Sequence, residues 1–355
     1  MLARRLFKRI GVLLTASGVA SAGLKTLFGR RRCASWLAST RPLQGLTAVV
    51  TGATRGIGRG IAIGLAESGA TVYITGRTLK GGKDTLGSLE EVQQTIKDKG
   101  GECIALQCDS ADDRQLEQLF KRVERENGGL DVLVNNAFTI PQPVSDWMGK
   151  PFWQSPAKLW DVINGVGLRS HFVASALASP LLLQRKGLIV NVSSWGGVRY
   201  IFHVIYGIGK AGMDRMAADM AEELKPHNVT VVSLWPGKVR TENFYKLLQE
   251  NDPLTKGVLD PYLSESPLYS GRAVAALASL PPHKRLKRTG SVQVTAELAS
   301  EFNFNDEDGT RPPSFRSLRF LLPSGVKALK GKEQLVPDIR IPWWLIKTQA
   351  SPKFS

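Results

Sequence analysis

Tyr206 and Lys210 lie four residues apart in the stretch YGIGK, so on a helix their side chains share one face. A tyrosine hydroxyl has an ordinary pKa of ~10 and is a poor acid or base near neutral pH. A nearby ammonium stabilises the phenolate and lowers that pKa, which makes the pair a candidate general acid/base. Taken alone, the same spacing is also typical of a surface contact, so its meaning depends on the surrounding elements.

Three glycines follow an apolar stretch in VVTGATRGIG, at Gly52, Gly56 and Gly58. A strand, a glycine turn and a helix in that order place free backbone N–H groups and the positive end of a helix dipole at one point. Side chains at these three positions would block an approaching pyrophosphate. The stretch therefore predicts a dinucleotide site, provided that it follows the first strand of a doubly wound sheet.

Strand-like and helix-like segments alternate from residue 46 to residue 237. This alternation predicts an α/β fold, a doubly wound parallel sheet (Rossmann fold), in one domain over residues 42–315. A long helix is expected at roughly 156–185, and the polar, proline-punctuated stretch 240–270 is expected to be a lid over a ligand. The predicted strands are 46–51, 71–77, 102–109, 130–136, 188–194 and 229–237, with a further short strand near SVQVTA.

The motifs resemble, in order, those of the short-chain dehydrogenase/reductase superfamily over most of residues 45–242. The glycine turn gives TGxxxGxG from Thr51, NNA (135–137) ends the fourth strand, YGIGK matches YxxxK, and PGKVRT (236–241) matches PGxxxT. Phe138 stands where the family has the glycine of NNAG, which puts the local backbone freedom in doubt. The stretches TVYITGR, FWQSPAKLWDVINGVGLRSH, YGIGKA and VSLWPG resemble the dehydrogenase/reductase member 1 branch. This resemblance implies NADPH-dependent reduction of carbonyl compounds, including steroids.

The second predicted strand ends in TGR and has no acidic residue at 76–78 to bind the adenosine ribose and select NAD. Arg77 there, and Arg55 in the glycine turn, suit a 2′-phosphate through charge-assisted contacts. NADP(H) is therefore expected in preference to NAD(H), unless Arg77 is only a solvated loop charge. The resemblance implies the remaining cofactor-binding candidates, which are Gly52, Gly56, Ile57, Gly58, Asp109, Ser110, Asn136, Ala137, Tyr206, Lys210, Pro236, Gly237, Val239 and Thr241.

The resemblance also implies the catalytic roles: Tyr206 as acid/base in hydride transfer, Lys210 on the nicotinamide ribose, and Asn164 holding a proton-relay water. Without it, Asn164 is an ordinary solvent-facing helix residue. The serine that holds the carbonyl oxygen is Ser194 if the SSxxG pattern is aligned, and Ser193 if the commoner spacing to the tyrosine is kept; Ser194 is preferred. Adjacent strand residues face opposite ways, so only one of the two is expected to reach the substrate.

Aromatic side chains near these motifs predict the walls of a site for a hydrophobic carbonyl compound, although each could equally be ordinary core. The alternative function is a catalytically silent dinucleotide-binding module that acts through a partner, and the intact catalytic set argues against it. The predicted wall residues are Phe138, Trp153, Trp195, Tyr200 and Phe202, with the 240–270 loop.

The two ends of the chain lie outside this pattern. Residues 1–41 hold nine Lys and Arg and no Asp or Glu, so they carry more than half of the net charge of +16. Such a segment is typical of a mitochondrial transit peptide; an endoplasmic reticulum signal or anchor, or a plain basic tail, are the alternatives. Residues 316–355 form a basic, aromatic tail that is expected to pack on the domain, with peripheral membrane contact as the alternative.

Composition argues against several classes of partner. Much of the positive charge belongs to the N-terminal segment and no nucleic-acid reader motif is present, so no nucleic-acid partner is expected. The cysteines Cys33, Cys103 and Cys108 have no metal-ligand spacing and are expected to be reduced, and no metal is expected. The resemblance implies a homo-oligomer formed through the helices near 156–185 and 205–225.

Overall fold

The computed structural model of the chain describes residues 41–83, 85–249, 263–329 and 331–347. Residues 1–40 of the expected targeting segment and residues 250–262 of the expected lid lie outside the described residues. So do the last eight residues of the C-terminal tail.

A parallel sheet of seven strands forms the centre of the described part of the chain, in the order β3-β2-β1-β4-β5-β6-β9. Every neighbouring pair in this sheet is parallel, which confirms the predicted doubly wound fold. The strands are β1 (Thr47–Val50), β2 (Thr71–Gly76), β3 (Glu102–Gln107), β4 (Val132–Asn135), β5 (Leu188–Val192), β6 (Thr230–Trp235) and β9 (Ser291–Val294), and a separate pair is formed by β7 (Lys238–Val239) and β8 (Ser264–Glu265).

Helices cover both faces of the sheet, so the central strands β1, β4, β5 and β6 are buried along their whole length. This explains why these strands are continuous apolar runs instead of alternating patterns. The helices are α1 (Gly56–Glu67), α2 (Leu89–Asp98), α3 (Asp113–Asn127), α4 (Ala157–Asn164), α5 (Ser170–Arg185), α6 (Val204–Leu224), α7 (Glu242–Gln249), α8 (Pro267–Ala278), α9 (Pro282–Arg285), α10 (Thr295–Phe302), α11 (Leu318–Gly325) and α12 (Trp343–Lys347).

The strand order reverses at β1, which lies between β2 on one side and β4 on the other. In open α/β sheets, ligands bind in the crevice outside the carboxyl ends of the strands at such a switch point. The glycine turn follows β1, and the NNA stretch ends β4 and continues beyond it. The two motifs that the sequence singled out therefore meet at this crevice.

The predicted long helix at roughly 156–185 is interrupted. A π-helical turn, Gly165–Arg169, separates α4 from α5. Its Gly167 has no room for a side chain, because a Cβ there would lie 2.7 Å from the Phe138 ring. Single-turn π-bulges are often found at functional sites, and this one begins directly after Asn164.

The C-terminal tail packs on the sheet through aromatic side chains. Trp343 lies 6.0 Å from Trp235 of β6 between ring centroids, and Phe315 lies 5.8 Å from the same Trp235. The Arg316 guanidinium covers the Trp343 ring at 4.3 Å and pairs with the Glu297 carboxylate at 2.6 Å. The described part of the tail thus continues the core of the domain.

Candidate active site

The glycine turn is tied directly to the end of β4. Gly52 has a left-handed backbone (φ +67), and a Cβ there would lie 2.6 Å from Cα of Ala137. The Asn136 amide nitrogen donates to the carbonyl oxygens of Thr51 and Gly52, both at 2.9 Å. A Cβ on Gly58 would lie 2.3 Å from that same Asn136 nitrogen. Asn136, Gly52 and Gly58 therefore shape the turn.

The first amide of α1 already holds an anion. The Gly56 N–H donates to Oε2 of Glu242 at 2.7 Å, and Arg59 pairs with the other carboxylate oxygen at 3.3 Å. A pyrophosphate would bind at a helix N-terminus through the same kind of backbone N–H group that this carboxylate uses. The residues at this turn therefore fit a dinucleotide. The sequence analysis did not identify Glu242, although it directly follows PGKVRT.

A cavity of about 620 Å³ lies beyond the carboxyl ends of β2 and β3. It brings together Arg77 and Asp109, as the sequence predicted, and adds Lys158 and Asp161 from α4, which it did not. Arg77 is exposed and Ser110 is buried beside Asp109. The other lining residues are Ala111, Thr139, Val162 and Val166.

The two candidate serines face opposite sides of the loop after β5. Ser194 Oγ lies 2.8 Å from Tyr206 Oη and accepts a hydrogen bond from the Gly196 N–H. Ser193 is 3% exposed and donates to the main-chain oxygen of Lys210 at 3.0 Å. The structure therefore brings Ser194 to the tyrosine hydroxyl and directs Ser193 inward.

Lys210 is deeply buried on the same face of α6 as Tyr206. Its Nζ donates to the Val192 carbonyl oxygen at 3.0 Å. Burial lowers the pKa of Lys210 to about 8, and the nearby Asp214 carboxylate opposes part of that change. Since an ordinary lysine has a pKa near ~10.4, this ammonium gives up its proton unusually easily.

The expectation that Lys210 lowers the pKa of Tyr206 is not met in the ligand-free protein. Burial raises the Tyr206 pKa above its ordinary value, and the Ser194 hydrogen bond opposes this only in part. Because Lys210 has a pKa of about 8, it loses its charge before the phenol can ionise. Tyr206 is therefore held as the protonated acid.

Asn164 is buried, which differs from the solvent-facing alternative. It is 5% exposed, and its Nδ2 has no hydrogen-bond partner among the described residues. A Cβ on Gly209 would lie 2.4 Å from Asn164 Oδ1, so the residue before Lys210 must be small for α4 and α6 to meet here. The amide is thus placed beside the catalytic helix with a donor to spare.

Two of the predicted wall residues flank the tyrosine. The Phe138 and Phe202 rings lie 5.9 and 5.3 Å from the Tyr206 ring, both edge to face. Phe138 also lies 4.9 Å from Lys210 Nζ, and its backbone does not need the positive φ that a glycine allows. Phe202 adopts such a left-handed backbone (φ +61), which is uncommon for a bulky residue.

The remaining predicted wall residues lie elsewhere. Trp195 packs on Phe315 at 4.4 Å and belongs to the aromatic cluster of the C-terminal tail. Trp153 is 73% exposed and meets the Phe152 ring edge to face. Tyr200 is 66% exposed, and its hydroxyl donates to the Phe202 carbonyl at 3.4 Å. The aromatic type of these residues did not predict which side chains they would contact.

The PGKVRT turn contacts a buried carboxyl group, that of Glu265. A Cβ on Gly237 would lie 2.9 Å from Glu265 Oε2, and Val239 pairs with Glu265 in the small parallel sheet. Burial raises the pKa of Glu265 to about 8, against a hydrogen bond from the Gly237 N–H. Thr241 accepts from the Phe244 N–H and so begins α7. Pro236, directly after β6, is buried. Ile57, in α1, is half-buried.

His171 is a further residue that sequence reasoning missed. Its ring is buried, with Nε2 2.8 Å from the Ala137 carbonyl oxygen. Burial, together with the charge of Lys210, lowers the pKa of His171 to about 3, so the ring is neutral and Nε2–H is the donor. It holds the main chain of the NNA stretch in place.

Comparison with known proteins agrees with this geometry. The family model for short chain dehydrogenases matches residues 46–252. The protein named Dehydrogenase/reductase SDR family member 1 is 44% identical in Mus musculus, over 86% of this chain and 97% of that one. Its Homo sapiens counterpart is 42% identical over 87% and 98%.

The fold of this chain is similar to that of solved structures. A metagenomic short-chain oxidoreductase, solved in complex with NADP, superposes with a TM-score of 0.57 at 27% identity, over 71% of this chain and 97% of that one. The doubly wound sheet is therefore a known architecture. The chain belongs to the short-chain dehydrogenase/reductase family of oxidoreductases, in the branch of dehydrogenase/reductase SDR family member 1.

Proposed function

We propose that the chain is an NADPH-dependent carbonyl reductase that converts a hydrophobic ketone or aldehyde, such as a steroid, to an alcohol. The observation that carries this proposal is the 2.8 Å contact between Ser194 Oγ and Tyr206 Oη, with Lys210 one helical turn away. A hydroxyl pair of this kind can bind one carbonyl oxygen from two sides and protonate it. The names of the relatives, dehydrogenase/reductases, support the reaction type.

The catalytic residues have separate tasks in this mechanism. A bound nicotinamide would supply the hydride that reduces the carbonyl carbon. Tyr206 donates its Oη proton to the carbonyl oxygen, which suits the protonated phenol described above. Ser194 donates a hydrogen bond to that oxygen and orients it. Lys210 and the unpaired Asn164 amide support the return of a proton to Tyr206.

The preference for NADP(H) over NAD(H) rests on two arginines. Arg77 lines the cavity beyond the glycine turn, and Arg55 is the residue directly before α1. No acidic residue follows β2 at 77 or 78. A guanidinium here attracts a 2′-phosphate, whereas it gains little from a ribose hydroxyl.

A hydrophobic substrate is supported by the rings around Tyr206. Phe138 and Phe202 contact the tyrosine ring, and Phe202 is 49% exposed. Exposed aromatic surface beside a polar catalytic group is the usual composition of a small-molecule site.

The deciding experiment is NADPH oxidation by the purified chain against a panel of ketones, aldehydes and quinones. We expect turnover with apolar carbonyls and its loss in Y206F, with NADPH binding retained. Tight NADPH binding without turnover on any compound would favour the alternative, a silent dinucleotide-binding module. No binding of either nicotinamide dinucleotide would refute both.

For localisation, we propose mitochondrial import directed by residues 1–41, with the endoplasmic reticulum membrane as the alternative. The basic, acid-free composition of this segment supports the proposal. In fractionated cells, the intact chain should be recovered with mitochondria. A chain that lacks residues 1–41 should no longer be recovered in that fraction. Recovery of the intact chain in microsomes would favour the alternative.

For assembly, we propose a homo-oligomer through α5 and α6. Both helices expose apolar side chains, with Phe172 57% and Ile208 44% accessible. Ala157–Arg185 is long and apolar enough to cross a membrane, and 44% of an apolar 18-residue window within it is buried inside the domain. Light scattering should give a mass above that of a monomer, and F172E/I208E should reduce it.

A further inference from the structure

The helix that carries the catalytic pair also carries, in register with it, a half-buried aspartate whose carboxylate is enclosed. Tyr206, Lys210 and Asp214 are each four residues apart on α6, so their side chains form one strip on the helix. Asp214 is not among the residues that the proposed mechanism uses. A carboxylate buried in a protein interior is costly unless it is paired or hydrogen-bonded.

Asp214 is held from the sheet by hydrogen-bond donors. Its Oδ1 accepts from Trp235 Nε1 at 2.8 Å and from Ser233 Oγ at 2.5 Å. Both donors lie at the end of β6. An indole N–H can only donate, so the group that it meets must accept. The two donors to Oδ1 favour the charged carboxylate over the neutral acid. Oδ2 is buried and has no hydrogen-bond partner among the described residues.

The loop that carries Ser194 lies directly on this strip. A Cβ on Gly196 would lie 2.5 Å from the Tyr206 ring, and a Cβ on Gly197 would lie 2.5 Å from Asp214 Oδ2. Two adjacent glycines thus let the loop rest on α6, one over each end of the strip.

We propose that Asp214 is a positioning residue for the catalytic pair, which keeps the Lys210 ammonium charged and supports the loop that carries Ser194. The inference rests on the proposed function for its consequence in turnover, but its electrostatic part concerns the ligand-free chain alone. Asp214 is aligned through Trp235, which in turn packs against Phe315 and Trp343. The C-terminal tail therefore supports the catalytic helix from behind.

The titratable groups that face Lys210 come from two helices. Asp214 and Tyr206 lie on α6, and His171 lies on α5. His171 is neutral above pH 5, since burial lowers its pKa to about 3, and the Tyr206 pKa is raised by burial. Burial also raises the pKa of Asp214, while its hydrogen bonds and the Lys210 charge oppose this. Removal of the Asp214 charge must therefore make Lys210 easier to deprotonate.

The test is an NMR titration of the Lys210 ¹³Cε resonance in the full, cofactor-free chain, with K210M used to assign it. In D214N we expect the midpoint to move to lower pH by roughly one unit. The matched control is D219N, which removes an exposed carboxylate paired with Arg215 on the same helix. We expect D219N to leave the midpoint unchanged. An equal midpoint in D214N and the unmodified chain would overturn the proposal.

Two further measurements keep the test decisive. D214S removes the same charge with a smaller side chain and should give the same shift if D214N does not fold. The Asp214 ¹³Cγ resonance of the unmodified chain should report a carboxylate at neutral pH, and a protonated carboxyl there would overturn the proposal without any variant. If the chain reduces carbonyls, the alkaline limb of its pH–rate profile should move with the titration in D214N. If it reduces none, the proposed function fails while the titration still decides the role of Asp214.

Discussion

The glycine turn and the catalytic face lie at the same edge of the sheet, yet they are assembled differently. The turn is built from one short stretch, Thr51 to Gly58, closed by the side chain of Asn136. The catalytic face takes Ser194 from the loop after β5 and its tyrosine and lysine from α6. Behind that face stand the π-turn and the C-terminal tail. A contiguous turn is specified by local spacing, whereas a face of this kind depends on contacts between residues far apart in the chain.

The largest expected effect is the loss of turnover when one serine hydroxyl is removed from the catalytic face. S194A should reduce turnover by about 100- to 1,000-fold, because it removes a donor beside the reacting oxygen. The adjacent S193A should cost less than about tenfold, since its hydroxyl bonds to the Lys210 main chain. Steady-state kinetics with NADPH in excess would measure both. Equal losses would show that the observed loop geometry does not distinguish the two serines.

The next prediction concerns the long-range fit between Phe138 and the π-turn. G167A should lower the free energy of unfolding by about 1–3 kcal/mol, because its Cβ would lie 2.7 Å from the Phe138 ring. G165A, two residues away, has open space at its Cβ and should cost little. Urea denaturation of both variants gives the comparison. The double variant F138A/G167A should be less destabilised than the sum of the single changes, and strict additivity would show that the two residues are not coupled.

A third prediction separates stability from catalysis at Lys210. Because burial lowers its pKa to about 8, the folded state binds fewer protons than the unfolded state between pH 8 and the ordinary lysine pKa near ~10.4. The unmodified chain therefore loses stability as pH falls through this window. K210M should be inactive but more stable by roughly 1–2 kcal/mol at pH 7.

The measurement for this third prediction is thermal unfolding across pH. The advantage of K210M should shrink as pH rises from about 8 through ~10.4, and it should level off only above ~10.4, where the unmodified lysine is neutral in both states. A stability difference that does not change with pH would mean that the buried Lys210 ammonium is not the cause.

The smallest effect is expected on cofactor preference, at the cavity that Arg77 lines. R77D should lower the preference for NADPH over NADH by roughly tenfold, since it replaces a phosphate-binding cation with an anion. The matched control is K80D, which reverses an exposed charge on the same loop. The ratio of kcat/KM for the two dinucleotides measures the change. Equal ratios in R77D and the unmodified chain would assign the selectivity to other residues.

Much of the fold could be predicted because it depends on local periodicity. The strands and the parallel order followed from buried apolar runs and alternating helices, and the structure confirms them. The π-turn at Gly165–Arg169 was missed, since the segments on both sides of it have a helical apolar pattern and read as one helix. What reveals it is the Phe138 ring, which contacts it from 27 to 31 residues earlier in the chain.

The candidate site divides in the same way. The tyrosine, the lysine and the glycines could be named from their spacing together with the alternation of strands and helices around them. Asp214 could have been found by extending the Tyr–Lys spacing one more turn. Trp195 could not be placed, because its partners Phe315 and Trp235 come from the residue directly before the tail and from β6. Glu242 could not be assigned either, since only the folded chain brings it to α1. Charge and aromatic type indicate that a residue needs a partner, but not which partner it finds.

The contact between Glu242 and Gly56 has a consequence for how any affinity at the turn should be interpreted. A carboxylate that belongs to the chain itself is present at a fixed, high effective concentration. A dinucleotide that uses the same amide must displace or share it. Its measured dissociation constant would then report a difference between two anions rather than the strength of one. Neutralising the internal competitor would therefore tighten binding without adding any contact to the ligand.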